Sequence, residues 1–522
     1  MATYSRPGVF IQEVDLPQAI VLADNGNAIG AFVGALAKGP TSAPVLLNSW
    51  TDFTKTFGNL EDAYPTTWAA YNFFANGGRQ LYVKRALGSG SVKSSVLLTD
   101  RSQAELNTLL VRAGNAGSWG NAVAVEVKAA GTSNRFSFIV YGAPTVSGVA
   151  NSNVLEQFTD LSMSSTDPRY VVSVINAASS YVTVEDQNSA SVAPDNMPAI
   201  DGLKALTGGQ NGSEPVLADY EAALLTFDPI MSPLVFNIPA VAYLYTTSDD
   251  NTARTLTVDI NAKLIAYCES RGDAFAVIDT PSGLTVGEAQ TYLGDVTEAA
   301  LILDSDSGCA ASYYPWLAIP DSLRATPGAL RSQAPGAAMV GQFLATDASR
   351  GVFKTPAGYA NRVALAVATE KQLTNAELDS LNSGTNPINA IRQIPGTGIV
   401  VMGGRTLHNS PGDRYINVRR SLIHIKKELT DRSAFAVFEN NDERLWSQIR
   451  VALGSFLRSY WQQGGLRGTA PDQAFYVKVD AGTTSNSDIQ NGRVNIEIGV
   501  AIEYPAEFIV IKLGQITGNA TV

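Results

Sequence analysis

FAVIDTP, Phe275 to Pro281, is four apolar residues in a row ended by Asp, Thr and Pro. A run that is apolar on both faces suits a parallel strand covered by helices above and below. LVFNIP (Leu234 to Pro239) and AALILDS (Ala299 to Ser305) read the same way, and helix-length stretches such as Thr252 to Arg271 separate such runs. Strands alternating with helices predict βαβ units and a mainly parallel sheet. Upstream, AFVGALAKGP (Ala31 to Pro40) and LYVKRA (Leu81 to Ala86) supply further strands.

Two turn-rich stretches, GSGSVKSS (Gly88 to Ser95) and LTGGQNGSEP (Leu206 to Pro215), interrupt this pattern. Between them AVAVEVKAA (Ala122 to Ala130), RFSFIVYG (Arg135 to Gly142) and SYVTVED (Ser180 to Asp186) alternate or cluster β-branched and aromatic residues. This predicts a small all-β domain inserted into a discontinuous α/β domain.

The final third changes period. Val418, Leu422, Ile425 and Leu429 form one apolar stripe of a helix over Ile416 to Thr430. A second helix follows Asn441 as N-cap, carries Leu445, Ile449, Leu453, Phe456, Leu457 and Tyr460, and stops at Gly464 and Gly465. Then come Phe475, Val477 and Val479, a turn-rich stretch, and VNIEIGVAIEY. Its Val494, Ile496, Ile498, Val500 and Ile502 share one face, with Glu497 and Glu503 on the other. The expectation is two helices over a β hairpin.

With 522 residues the length suggests about three domains. Hydrophobic residues are 45% and charged ones 16%, the balance of a chain that buries a large core. MATYSRPGVF lacks a basic stretch leading into an apolar run, and no long apolar segment follows, so neither secretion nor membrane insertion is indicated and the chain is expected to be cytosolic when made. Two cysteines and two histidines are too few for a disulfide framework or a histidine-rich metal site. The net charge of −11 argues against nucleic acid as a bulk partner. Yet Ala390 to Ala470 holds twelve Lys plus Arg against six Asp plus Glu. That stretch reads either as a solvated helix face or as a basic surface meeting an acidic partner.

Chemistry-bearing motifs are scarce. There is no phosphate-binding loop of the G-x-x-x-x-G-K-[ST] type and no G-x-S-x-G elbow. LDSDSG (Leu303 to Gly308) has the opening of a calcium loop, but Pro315 stands where the bidentate Glu belongs. Asp279 and Asp304 are expected at the C-terminal ends of parallel strands, where α/β enzymes hold ligands; turn capping is the competing role.

Apolar, strand-like segments stand near both ends: RPGVFIQEV (Arg6 to Val14) and PAEFIVIKL (Pro505 to Leu513). A lone strand leaves a row of unpaired backbone groups, so another strand must complete it. Together with AFVGALAKGP, FGNL, FFANGGRQLYVKRA and LTGGQNG, the opening resembles the N-terminal half of contractile tail sheath proteins. The second half is more similar still, through DAFAVIDTP, YYPWLAIPD, TDASRGVFKTPAG, LNSGTNPINAIRQIPGTGIVVMGGRTL, RYINVRRSLIHIKKEL, AFAVFENNDERLW, FLRSYWQQGGLRG and PAEFIVIKLGQITG. One departure is SQAPGAAMVG (Ser332 to Gly341), where many relatives have two prolines and Ser-Gly.

The resemblance implies an α/β and α+β multidomain chain: a mixed α/β core domain, a C-terminal domain of helices over a β hairpin, the inserted all-β domain, and extended terminal strand arms. The expected division is 1–20 (N-terminal arm), 21–88 and 207–350 (core), 89–206 (β-rich protrusion), 351–506 (C-terminal inner domain) and 507–522 (C-terminal arm). It further implies a structural protein and no enzyme, stacking as six-membered rings around an inner tube and contracting from a metastable extended state. Partners would be other copies of the chain, the tail tube protein, and baseplate and tail terminator proteins, with no direct nucleic acid, membrane insertion, metal or cofactor. Its place would be the virion tail, assembled in the host cytoplasm. Val9, Phe10, Ile11, Gln12, Glu13 and Val14, and Phe508, Ile509, Val510, Ile511, Lys512 and Leu513, would add strands to a neighbour's hairpin made of Phe475, Val477, Val479, Val494, Ile496, Ile498 and Val500. Arg414, Arg419, Arg420, Lys426 and Lys427 are candidates to face an acidic tube. Alternatives are the sheath of an extracellular contractile injection system or a bacteriocin-like particle, and an α/β enzyme using Asp279 and Asp304.

Overall fold

The computed structural model describes residues 28–131, 134–142, 145–146, 149–150, 153–239, 241, 251–294, 303–384 and 386–507. Its central sheet contains β1 (Ile29–Ala35), β2 (Val45–Leu47), β3 (Leu81–Ala86), β4 (Leu234–Asn237), β5 (Ala274–Asp279), β6 (Ala310–Tyr314), β7 (Ile388–Ile394) and β8 (Gly398–Val401). Their spatial order is β2-β3-β1-β4-β5-β6-β7-β8. All pairings from β3 to β7 are parallel, and the edge strands β2 and β8 are antiparallel to their neighbours.

Alternate residues of the inner strands feed two cores. Ala31, Val33, Leu234, Phe236, Ala276 and Ile278 pack on one face, and Phe32, Val235, Phe275 and Val277 on the other. The first face is covered by α3 (Leu217–Leu225), α4 (Asn251–Arg271), α5 (Val286–Gly294) and Leu381 of α7 (Asn375–Ser383). The second is covered by α1 (Trp50–Phe57), α2 (Pro65–Ala75) and α6 (Gly336–Arg350). Each fully buried aliphatic or aromatic side chain contributes about 1.5–3 kcal/mol, so a sheet buried on both faces is self-sustaining. Helix α6 starts within the departing segment SQAPGAAMVG, with Pro335 as N-cap.

The strand beside β5 does not come from the described part of AALILDS. Of AALILDS, residues 299–302 lie outside the described residues, and Leu303 to Ser305 are irregular. The strand that takes its place is β6, AASYY. The SDSG segment is a turn into it: the Ser305 hydroxyl accepts from the Cys309 N–H at 2.9 Å. Polar Ser312 and two tyrosines hide this strand from an apolar-run reading, while the Tyr314 hydroxyl is satisfied inside by donating to the Leu284 carbonyl at 2.7 Å.

Residues 95–205 form two further sheets, ordered 154–161, 136–142, 123–129, 203–205 and 182–186, 107–113, 95–99. They share a core of Leu109, Val111, Val125, Phe138, Val140 and Val182. The helix Val171–Ala178 buries Val171 and Ile175 in that core, so the insertion is β-rich and not all-β. Its β-branched VVSVI reads locally as strand; packing overrides propensity. The outgoing and returning chains run side by side, Val92 bridging Gln210 and Ser95 bridging Thr207. Buried Arg85 ties β3 to the insertion: Nε donates to the Leu36 carbonyl at 2.7 Å, and Nη1 to the Ala116 carbonyl at 2.8 Å.

The central sheet continues past the expected boundary at 351. Strands β7 and β8 complete the central sheet, with Ser312 opposite Ile388 and Ile391 opposite Val401. A separate C-terminal core gathers Val352 with Ile425, Leu429, Leu445, Ile449, Leu453, Phe456 and Leu457.

Candidate assembly interface

Two helices carry this C-terminal core. In α8 (Ile416–Ser433) the stripe Val418, Ile425 and Leu429 is buried, with Leu422 half-buried. In α9 (Glu443–Gln462) every apolar residue expected inside is buried. The N-cap is Asp442, accepting from the Leu445 N–H at 2.9 Å. That is one residue beyond Asn441, which instead accepts from Trp446 Nε1 at 2.8 Å. At the far end Gly464 adopts φ +82°, and the N–H groups of Gly464 and Gly465 donate to the carbonyls of Trp461 and Tyr460 at 3.0 and 3.1 Å. This Schellman closure needs a residue free to be left-handed, which glycine supplies without a Cβ penalty.

Across α9 lies the hairpin of β9 (Phe475–Lys478) and β10 (Glu497–Val500), antiparallel, with Phe475 opposite Val500 and Val477 opposite Ile498. Phe475, Val477, Val494, Ile496, Ile498, Val500 and Ile502 are half-buried against the core, and Val479 is fully buried. The strand expected over Val494 to Ile502 is ordered as ladder only at Glu497–Val500, because Asn495 turns its N–H to the Thr484 hydroxyl at 3.0 Å. Beyond β10, Ile502 bridges Leu466. Among the described residues this ladder holds two strands. A two-stranded ladder is marginal alone and offers edge donors and acceptors to a further strand.

The expected donor strands, Val9 to Val14 and Phe508 to Leu513, lie outside the described residues. The chain leading to the second is described, and it is anchored. Asn417 Nδ2 donates to the Glu503 carbonyl at 2.9 Å, and the rings of Tyr415 and Tyr504 meet edge-on at 6.0 Å. Glu507 then receives Arg405 on both oxygens, from Nε at 2.9 Å and Nη2 at 2.6 Å. Arg405 Nη1 also donates to the Asn382 carbonyl in the last turn of α7, at 2.7 Å. The sequence reading missed this group: an isolated Arg and Glu a hundred residues apart carry no local pattern.

The five basic candidates separate. Arg419 and Arg420 are buried, each 3% exposed, and are not surface charges. Arg420 forms a two-pronged ion pair with buried Asp347 of α6, Nη1 donating to Oδ1 at 2.8 Å and Nη2 to Oδ2, and lies 4.9 Å over the Phe343 ring. The first turns of α8 are sandwiched between the central sheet and α9, so burial wraps beyond the apolar stripe. Arg414, Lys426 and Lys427 are half-buried; Arg414 donates to the Asn409 carbonyl at 2.9 Å, and Lys427 pairs with Asp431 one turn on.

The two strand-end carboxylates do not meet. Asp279 does end β5 but is buried, accepting from Asn237 Nδ2 at 2.9 Å and from the Gly336 N–H at 2.6 Å. It receives the first N–H of α6 from fifty-seven residues away, a long-range contact and not the local turn capping expected of it. Burial pushes its pKa up to about 6, against the opposing pull of those two bonds. Asp304 is exposed and precedes β6, so it lies toward the N-terminal end of the parallel strands while Asp279 lies at a C-terminal end. No shared cleft holds the pair.

Residues 410–515, which span α8, α9 and the hairpin, match the family model of the phage tail sheath C-terminal domain. Nearly the whole chain overlays solved sheath structures. One is the sheath of an extracellular contractile injection system, PVC, in the contracted state (TM-score 0.54, 20% identity, 99% of each chain covered). Another is the helical sheath of the anti-feeding prophage (AFP) in the contracted state (TM-score 0.56, 21% identity, 98% of this chain and all of the other). A third is the sheath tail protein of Listeria innocua (TM-score 0.62, 13% identity, 92% and 96% covered). The fold is that of a contractile sheath protein. No curated protein matches the sequence. The C-terminal domain is thus the part matched by sequence, and the rest of the likeness is one of fold. No helix among the described residues is long and apolar enough to cross a membrane.

Proposed function

We propose that the chain is a structural subunit of a contractile sheath, stacking in six-membered rings around an inner tube and contracting to drive that tube through a cell envelope. The observation that carries this reading is the sheath fold over nearly the full length, combined with a C-terminal hairpin that holds two strands among the described residues. Val9 to Val14 and Phe508 to Leu513 would add to the hairpins of neighbouring copies by β-augmentation, with Phe475, Val477, Val479, Val494, Ile496, Ile498 and Val500 as the receiving element. Baseplate and terminator proteins would hold the two ends. Of the basic candidates, Arg414, Lys426 and Lys427 are the ones to meet an acidic tube. Such wet contacts are worth about 1 kcal/mol or less each and weaken with salt, which suits a sheath that must release its tube.

Electron microscopy of the full chain and of a version lacking residues 1–14 tests the reading. Ribbed cylinders from the first and folded monomers from the second are expected; efficient cylinder formation by the truncation would refute strand exchange. Charge reversal at Lys426 and Lys427 should weaken assembly on purified tube, and unchanged assembly would remove them from the tube face. A genome-free injection particle is the second reading, supported by the match to the PVC and AFP sheaths over 98–100% of both chains. A capsid gene beside this one would favour a phage tail.

A further inference from the structure

A strand tethered to its own receiving hairpin meets it at an effective concentration on the order of millimolar, above that of a second copy in dilute solution. Exchange between copies therefore needs something that forbids closure within one chain. The seven residues that follow Val500, as far as Glu507, could span about 24 Å if extended, and a further six residues from Phe508 about 20 Å, so length alone does not forbid it.

The path of the described chain leads away from the hairpin. After β10 it leaves the hairpin, crosses the start of α8 through the Asn417 and Tyr415 contacts, and ends on the central-sheet side of the molecule. There Glu507 is gripped by Arg405, which follows β8, and reached by Asn382 Nδ2 at 3.3 Å and the Tyr415 hydroxyl at 3.3 Å. The paired side chains are only 11% and 21% exposed, and the geometry is the fork-on-carboxylate arrangement that fixes direction as well as position. Pro505 stiffens the approach.

We propose that Arg405 and Glu507 are a positioning clamp: they root the C-terminal strand on the α7 side of the central sheet, so that residues 508–513 are offered to another copy and kept off the chain's own hairpin. The inference rests on the sheath reading above.

Two measurements on the full chain test it. Nitroxides placed by Ile511→Cys and Tyr476→Cys report the distance between the C-terminal strand and the hairpin; Cys268 and Cys309 are buried and stay unlabelled. In dilute solution the otherwise unaltered chain should give long distances only. Glu507→Gln should add a short-distance population from strands about 5 Å apart. Without the labels, Glu507→Gln should raise the concentration for half-maximal cylinder formation about tenfold, and Arg405→Lys less, with unchanged urea midpoints. Wild-type distances and wild-type assembly in Glu507→Gln would overturn the clamp. If the unaltered chain forms no cylinders even on tube, the sheath reading falls, while the distance measurement still decides whether the clamp holds the strand away.

Discussion

Replacing Asp347 by Ala should cost about 3 kcal/mol, and the structure says why the figure is that large and no larger. The side chains of Arg420 and Asp347 are 4% and 1% exposed, so the change strands a guanidinium away from water. Breaking such a buried pair from one side costs about 3–5 kcal/mol, against about 0–1 for an exposed pair such as Lys427 with Asp431. The Phe343 face, 4.9 Å from the guanidinium carbon, still faces the cation and keeps the loss at the low end. The double variant Asp347→Leu, Arg420→Met removes both charges and should return to within about 2 kcal/mol of wild type. Urea unfolding followed by the fluorescence of Trp446 and Trp461, which pack in the C-terminal core, reads the affected transition. A loss under about 1 kcal/mol for Asp347→Ala, or a double variant no better than the single, would refute the assignment of this pair as a desolvated junction between α6 and α8.

Three further outcomes follow from the same geometry. Asp279 has a folded pKa of about 6, above the unfolded value of about 3.9, so the folded state binds the extra proton in between. Stability should therefore fall as pH rises from about 4 to about 6, by up to roughly 3 kcal/mol from this group, and Asp279→Asn should flatten that slope in urea titrations at pH 4 to 7. Arg85→Met would leave the carbonyls of Leu36, Ala37, Gly39 and Ala116 without their donor, and should cost about 3 kcal/mol or more and open the crossings at 88–95 and 207–215 to proteolysis. At the ends of α9, Asp442→Ala and Gly464→Ala should each cost about 1 kcal/mol in the transition reported by Trp446, the first by removing the cap and the second by forcing Ala into φ +82°.

What the sequence made legible was whatever is set by local pattern. Apolar runs and their spacing located β4, β5 and α4, and the stripe and glycine stop located α8 and α9, because burial on one or both faces writes a period into the chain. The misses share a cause: each depends on what lies across space. Strand β6 carries Ser312 and two tyrosines, polar residues that only elements distant in sequence bury. The buried Arg419 and Arg420 look like surface charges until Asp347 is brought seventy-three residues across to meet one of them. Strands β7 and β8 belong to the central sheet because β7 pairs with β6, which no local signal announces. Arg405 and Glu507 are likewise a partnership made by the fold.

Helix α6 shows how these long-range partners make a mechanical part. Its first N–H is held by Asp279 at the end of β5, and its last turns carry Asp347 into α8, so one fifteen-residue rod is fixed to the central sheet at one end and to the C-terminal helices at the other. Both fixings are buried and bonded to charge, the class of contact that costs most to break. Contact between subunits, by contrast, is proposed to run through short strands added to a neighbour's hairpin. A load applied to a subunit should therefore be relieved between copies before it is relieved between α6 and its two anchors. On that ordering of strengths, the central sheet and the α8–α9 core are expected to move as one unit.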